Sequence, residues 1–311
     1  MKSYHNYTLY KVIDELTLAI KQIEPHEKFS FGVTNPDLSV SIYNGSRLLR
    51  KGEEYIYRGY KTWVDLAHTL GCRMLTPQVL SEELVTITYE KLNLDVSFHT
   101  KDVSVEEKYG SESIFTQIHK NEEVSFLFYY KQALQNAKLQ ERKRVLNLGV
   151  NSGDEFEVMQ KLLCKDDVKE FLGLDYCSSA IETANEKFQN DGRFSFLEAD
   201  INRLNDLGIG KFDLIVSIGT LQSSNLSFNT TLMSIVQNQL KKDGAMILGF
   251  PNCRWIDGEM IYGARVKNYN FSEMGLLYKD VLFAKKYLQQ KKFRVTLTGK
   301  DYIFLTATSI R

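Results

Sequence analysis

The chain has 311 residues, 43% of them hydrophobic and 25% charged, with 39 Lys and Arg balancing 39 Asp and Glu. That is too apolar for a disordered polymer and long enough for more than one domain of about 100–200 residues. A formal charge of zero argues against a general nucleic-acid binder, whose surface is more often basic.

The four cysteines (Cys72, Cys164, Cys177, Cys253) include no C-x-x-C pair. They are therefore expected as free, buried thiols in a reducing compartment, with no metal site. The N-terminus has no apolar signal core and no run approaches 18 apolar residues, so a soluble, cytoplasmic protein without a membrane partner is expected.

Leu9, Ile13, Leu16, Ile20 and Ile23 recur at spacings of 4 and 3, which predicts an amphipathic helix over 7–23. Ser39–Tyr43 alternates like a strand, and Asn44-Gly45 signals a hairpin leading toward Tyr55–Arg58. Further helices are expected over Trp63–Leu70 and, after Pro77, Gln78–Leu92, followed by a polar linker over Thr100–Glu112. Together these make an α+β N-terminal region, residues 1–110, that matches no recognisable family. The aromatics Tyr43, Tyr55, Tyr57, Tyr60 and Trp63 are expected to pack a small sheet rather than line a cleft. Residues 111–311 read as a second domain opening on a helix at 122–139.

Its most telling stretch is Val145-Leu146-Asn147-Leu148-Gly149-Val150-Asn151-Ser152-Gly153, followed after a helix by Phe171-Leu172-Gly173-Leu174-Asp175. An apolar strand enters a glycine-bearing turn, an amphipathic helix follows, and a second strand ends in a carboxylate. This is the opening of a nucleotide-binding βαβ unit. Gly149 and Gly153 permit dihedrals and close approaches that a Cβ forbids. The helix aims its free N–H groups at the ligand. Asp175 stands 26 residues after Gly149 (175 − 149), where a carboxylate can accept from both ribose hydroxyls. A dinucleotide G-x-G-x-x-G pattern fails at Asn151 and Asp154, whereas the tighter G-x-G-x-G pattern fails only at Asn151. Asn is the non-glycine residue most tolerant of left-handed backbone.

On that count the chain resembles the class I S-adenosylmethionine (SAM)-dependent methyltransferases, and later segments fit in order. Phe194–Asp200 reads as a third strand ending in an acid, Phe212–Ser217 as a fourth, Ala245–Gly249 as a fifth. Phe293–Leu297 and Tyr302–Ala307 read as a closing antiparallel hairpin across Gly299. The resemblance covers roughly residues 120–311. It implies an α/β Rossmann-like fold with a seven-stranded sheet and an antiparallel last strand, SAM as cofactor, and an N-terminal region covering the substrate mouth.

By that resemblance the cofactor residues are Asn147, Gly149, Asn151, Gly153, Asp175, Tyr176, Asp200, Ile201 and Ser217. Asn147 stands where the family usually carries an acid. Methyl transfer needs alignment and dryness more than a base, so absent His–Asp or Cys–His pairs are no objection. Catalytic residues are left as the candidates Tyr262, Arg254 and Gln222. The loop after the fourth strand, 217–222, lacks the N-P-P-Y or D-P-P-Y motif of enzymes that methylate base or glutamine amino groups. The segment 250–269 reads as a long, apolar loop, and such loops are usually functional. From it Asn252, Arg254, Tyr262 and Arg265 are expected at the substrate, with Lys267 and Tyr269 nearby.

The expected acceptor is an oxygen or nitrogen of a small metabolite, with Arg254 and Arg265 pointing toward an anionic one. Two competing readings remain: an RNA or tRNA methyltransferase with an N-terminal recognition module, and a catalytically silent scaffold on the same fold. The oligomeric state is not legible.

Overall fold

The computed structural model describes residues 1–38, 40–96, 117–164, 169–264 and 273–310. The expected linker over Thr100–Glu112 and the candidates Arg265, Lys267 and Tyr269 lie outside the described residues. Two compact units form: Met1–Thr100 with Trp255–Ile261, and Lys101–Arg254 with Tyr262–Arg311.

In the first unit, helix α1 (Leu9–Lys21) buries Val12, Leu16 and Ile20, the stripe its 3.6-residue period selects. Strand β1 (Lys28–Thr34) follows, then β2 (Arg47–Arg50), β3 (Glu53–Ile56), α2 (Tyr60–Thr69), β4 (Cys72–Met74), β5 (Gln78–Val79) and β6 (Leu84–Lys91). Strand β6 pairs antiparallel with β1, β4 and β5. The core joins Phe31 and Val33, Val85, Ile87 and Tyr89, Trp63, and the inner face of α1.

Two expectations for this unit are corrected. Gln78–Leu92 is not a helix: Val85, Ile87 and Tyr89 point alternately into the core, so the β-branched period of 2 prevails. Ser39–Tyr43 forms no strand among its described residues. Asn44-Gly45 is a turn, but the hairpin that closes is β2–β3, across Lys51-Gly52 with φ of 50° and 82°. Positive φ at both central residues is what a type I′ turn requires.

The second unit is the expected α/β sheet. Its elements are α3 (Val124–Asn136), β7 (Arg144–Leu148), α4 (Asp154–Leu162), β8 (Glu170–Asp175), α5 (Ser178–Phe188), β9 (Phe194–Glu198), β10 (Phe212–Ile218), α6 (Phe228–Asn238) and β11 (Leu240–Pro251). After a short hairpin, β12 (Cys253–Ile256) and β13 (Glu259–Tyr262), most of which belongs to the first unit, the second unit continues with α7 (Gly275–Gln290), β14 (Phe293–Gly299) and β15 (Tyr302–Ser309). The sheet order is β14-β15-β11-β10-β7-β8-β9, parallel except where β15 runs antiparallel to both β11 and β14.

Side chains alternate between two cores. Leu146, Ile215, Met246 and Leu248 meet α6 and α7, while Val145, Leu214, Val216 and Ile247 meet α3, α4 and α5. Burial on both faces is why these strands read as continuous apolar runs.

The expected long loop at 250–269 is corrected over 253–262, which is the β12–β13 hairpin. Asp257 and Gly258, with φ of 50° and 82°, make its two-residue turn. Within the first unit, Ile256 and Ile261 pack on Leu92, and the Asp257 carboxylate accepts from the Asn93 N–H at 2.9 Å. One cysteine also departs from expectation: Cys164 is exposed, whereas Cys72, Cys177 and Cys253 are buried.

Candidate active site

In an open parallel sheet, ligand-binding loops gather outside the carboxyl ends of the strands where the chain order reverses. Here that edge is the carboxyl end of β7, flanked by β8 and β10. The turn leaving β7 carries Gly149 at φ 75°, Asn151 at 45° and Gly153 at 87°. A Cβ on Gly149 would stand 2.6 Å from the Thr220 Cγ2 and 2.7 Å from its Cβ, so the loop after β10 packs directly on this glycine. A Cβ on Gly153 would meet the Phe188 ring at 2.5 Å. Asn151 keeps the left-handed backbone that a middle glycine would otherwise supply.

Asp175 ends β8 as expected. Its Oδ2 accepts from the Asn151 N–H at 2.8 Å and its Oδ1 from the Cys177 N–H at 3.0 Å. Burial pushes its carboxyl pKa up, and the backbone N–H groups of Cys177, Asn151 and Tyr176 oppose that shift. Tyr176, beside it, is about half exposed. Asp200 follows β9 and accepts through Oδ1 from the Asn202 N–H at 2.9 Å and its Nδ2 at 3.1 Å. Ile201 packs partly buried against the core.

Asn147 is fully buried in β7; its Nδ2 donates to the Glu155 Oε2 at 3.4 Å, while its Oδ1 has no partner. Glu155, also fully buried in the first turn of α4, is paired with the Lys120 ammonium at 2.7 Å. Burial acts to lower the Lys120 pKa, but the charges of Glu155 and Asp154 outweigh it and hold it raised. Thr220, expected with Ser217 and Gln222 at cofactor or substrate, packs instead on Gly149. Sequence reading missed Lys120 and Glu155. Its one available signal was a run of acids, Asp154, Glu155 and Glu157, at a helix start, where the dipole favours them.

The remaining candidates divide. Ser217 is buried and donates to the Leu148 carbonyl at 3.2 Å, tying β10 to β7. Gln222 donates to Asp280 at 3.4 Å. Asn252 is buried, with its N–H on the Asp301 carbonyl and its Nδ2 on the Lys300 carbonyl at 3.1 Å. The Arg254 Nη1 donates to the carbonyls of Tyr262 at 3.2 Å and Gly263 at 3.0 Å. Tyr262 is about half exposed and its hydroxyl lies 3.6 Å from the Met274 sulfur.

A family profile described as a methyltransferase domain matches residues 139–298, more than half of the chain. The chain belongs to the class I SAM-dependent methyltransferases. It is an enzyme of that family, with SAM as its cofactor. No curated protein sequence matches it.

Among solved structures it is similar to the N-methyltransferase NodS of Bradyrhizobium japonicum WM9 in complex with S-adenosyl-L-homocysteine. That match has 14% identity, 61% of this chain, 90% of that one and a TM-score of 0.44. It is also similar to an SAH-bound methyltransferase of Podospora anserina (17% identity, 58% and 78% covered, TM-score 0.40). TehB of Haemophilus influenzae matches at 14% identity, with 74% and 72% covered and a TM-score of 0.40.

Proposed function

We propose that SAM is held across the carboxyl ends of β7, β8 and β9, and that the methyl group goes to an oxygen or nitrogen of a small metabolite. The observation that carries the cofactor's place is the Asp175 carboxylate. Its oxygens accept from the N–H groups of Asn151 and Cys177, the Tyr176 N–H acts on the same carboxylate, and a carboxylate's roughly four lone-pair sites leave capacity for a ribose hydroxyl. Gly149 and Gly153 let turn backbone approach the nucleoside, and Asp200 keeps its Oδ2 to accept from the adenine amino group. Tyr176 and Ile201 flank the base. The buried Asn147 Oδ1, an acceptor without a donor, suits the ammonium end of the methionine moiety after a small shift of the turn.

The cofactor supplies a methyl group already activated on a sulfonium. The chain's own task is to align acceptor and methyl and to keep water out. In this reading Ser217 acts by positioning, fixing β10 against β7 through the Leu148 carbonyl. Gln222, Arg254 and Tyr262 remain the side chains proposed to face the acceptor, with Asn252 holding the start of their segment.

A formal charge of zero supports a small acceptor, because a polyanionic substrate would call for a basic face. Arg254 favours an anionic one. The test supplies methyl-labelled SAM with a fractionated metabolite extract in one arm and bulk tRNA in another. Label in a low-mass fraction supports this function; label in tRNA alone contradicts it.

A further inference from the structure

Charge on the N-terminal unit is nearly balanced, with 11 Lys and Arg against 12 Asp and Glu between Met1 and Thr100. One cation stands apart from that balance. Arg58 is only 4% exposed, yet it makes no ion pair among the described residues. Its Nη2 donates to the Tyr7 carbonyl at 2.7 Å and its Nη1 has no partner. A guanidinium does not shed its proton in a protein, so this is a buried charge without a counter-ion. The Trp63 ring, 5.9 Å away, is its nearest aromatic compensation.

Arg58 lines a cavity of about 320 Å³, within the range of small-molecule sites. The same walls hold Asn44, Thr8, Leu9, Thr62 and Arg47, whose Nη1 already pairs with the Glu54 carboxylate at 2.8 Å and whose other nitrogens remain to donate. Thr8 is the N-cap of the 13-residue α1. Gly59, the N-cap of the 10-residue α2, carries no capping side chain; its own N–H donates to the Asn44 Oδ1 at 2.8 Å and the Thr62 N–H to the Gly59 carbonyl at 3.0 Å. The Thr62 Oγ1 accepts from Asn44 at 2.8 Å and the Thr8 Oγ1 from the Lys11 N–H, which leaves both hydroxyl protons to donate outward.

We propose that this cavity binds a phosphoryl group of a small phosphorylated molecule, with Arg58 as its buried counter-ion and Thr8, Thr62 and Arg47 as further donors. Donors outnumber what the two oxygens of a carboxylate use, whereas a phosphoryl group offers three acceptor oxygens. The two helix N-termini add positive potential of the right sign. The balanced charge of the unit favours a small anion over a nucleic-acid backbone. By contrast, the cavity of about 410 Å³ between α3, α4 and α5 sets Lys131, Lys161 and Lys187 against Glu122, Asp154 and Glu157, and so compensates itself.

The site is independent of the methyl acceptor proposed above, and calorimetry on the full chain tests it. Inorganic phosphate, acetate and S-adenosyl-L-homocysteine are titrated separately at fixed ionic strength, the last as a control for the other unit. Expected is one saturable phosphate site that acetate does not occupy with comparable affinity. Arg58→Gln is expected to weaken phosphate tenfold or more while leaving the homocysteine ligand unchanged. Should Arg58→Gln fail to fold, Arg47→Gln and Thr62→Val, at the cavity wall, are expected to weaken phosphate severalfold. No saturable phosphate binding, binding undiminished in the folded variants, or acetate binding as tightly as phosphate would each overturn the proposal. Arg58-dependent binding of a short RNA more tightly than phosphate would overturn it as well.

Discussion

Replacing Gly149 with alanine probes the packing of the cofactor turn against the loop after β10. At φ 75° an L-residue with a Cβ costs about 1–2 kcal/mol relative to glycine. The new methyl also lands 2.6 Å from the Thr220 Cγ2 and 2.7 Å from its Cβ, both inside contact distance, so the two loops must part. Overpacking of this kind costs about 1–3 kcal/mol. The single variant should therefore lose about 2–5 kcal/mol. Thr220→Gly removes the colliding atoms but not the dihedral strain. The double variant Gly149→Ala/Thr220→Gly should then recover about 1–3 kcal/mol relative to the sum of the two single changes. Far-UV circular dichroism in urea is the suitable readout, because both tryptophans, Trp63 and Trp255, belong to the other unit and do not report on this one. A Gly149→Ala protein as stable as the wild type, or a double variant that is merely additive, would refute the geometry of the turn.

Three further predictions concern charge. Lys120→Met strands Glu155 as a fully buried carboxylate, which should cost about 3–5 kcal/mol in urea unfolding, and Glu155→Gln added to it should restore most of that loss. Glu157 is held down at about 2 by Lys161 and Lys187, below its ordinary 4.5. Its stabilisation is thus present above pH 4.5 and lost as pH falls toward 2. Glu157→Gln should be about 1 kcal/mol less stable than wild type at pH 7, a gap that closes in acid, as thermal melts at several pH values will show. Burial raises the Asp175 pKa, so protonation of the ligand-free carboxylate sets in at a higher pH than for an ordinary aspartate. SAM affinity should fall on acidification at a pH above the ordinary aspartate value of 3.8, which calorimetry across pH measures.

The methyltransferase sheet was legible because parallel strands buried on both faces leave unmistakable apolar runs, and because Gly149 and Gly153 mark the turn after β7 and Asp175 the end of β8. The N-terminal unit was less so. In 78–92 the apolar residues after Pro77 fit a helix face almost as well as a strand, and only tertiary pairing with β1, β4 and β5 decides between them. Asn44-Gly45 offered the hairpin signal, yet it is Lys51-Gly52 and Asp257-Gly258 that close hairpins. Asp257-Gly258 went unread inside a segment taken for loop. The Lys120–Glu155–Asn147 chain and the Thr220 contact were invisible because they join residues brought together only by the fold.

The central claim is that Asp175 anchors the ribose of the cofactor at the carboxyl end of β8. Titration of S-adenosyl-L-homocysteine into wild type and Asp175→Ala, with folding of both checked by circular dichroism, tests it most directly. Loss of charge-assisted hydrogen bonds worth about 1.5–3 kcal/mol predicts binding weakened about ten- to a hundredfold. Equal affinity in a folded Asp175→Ala protein would contradict the account.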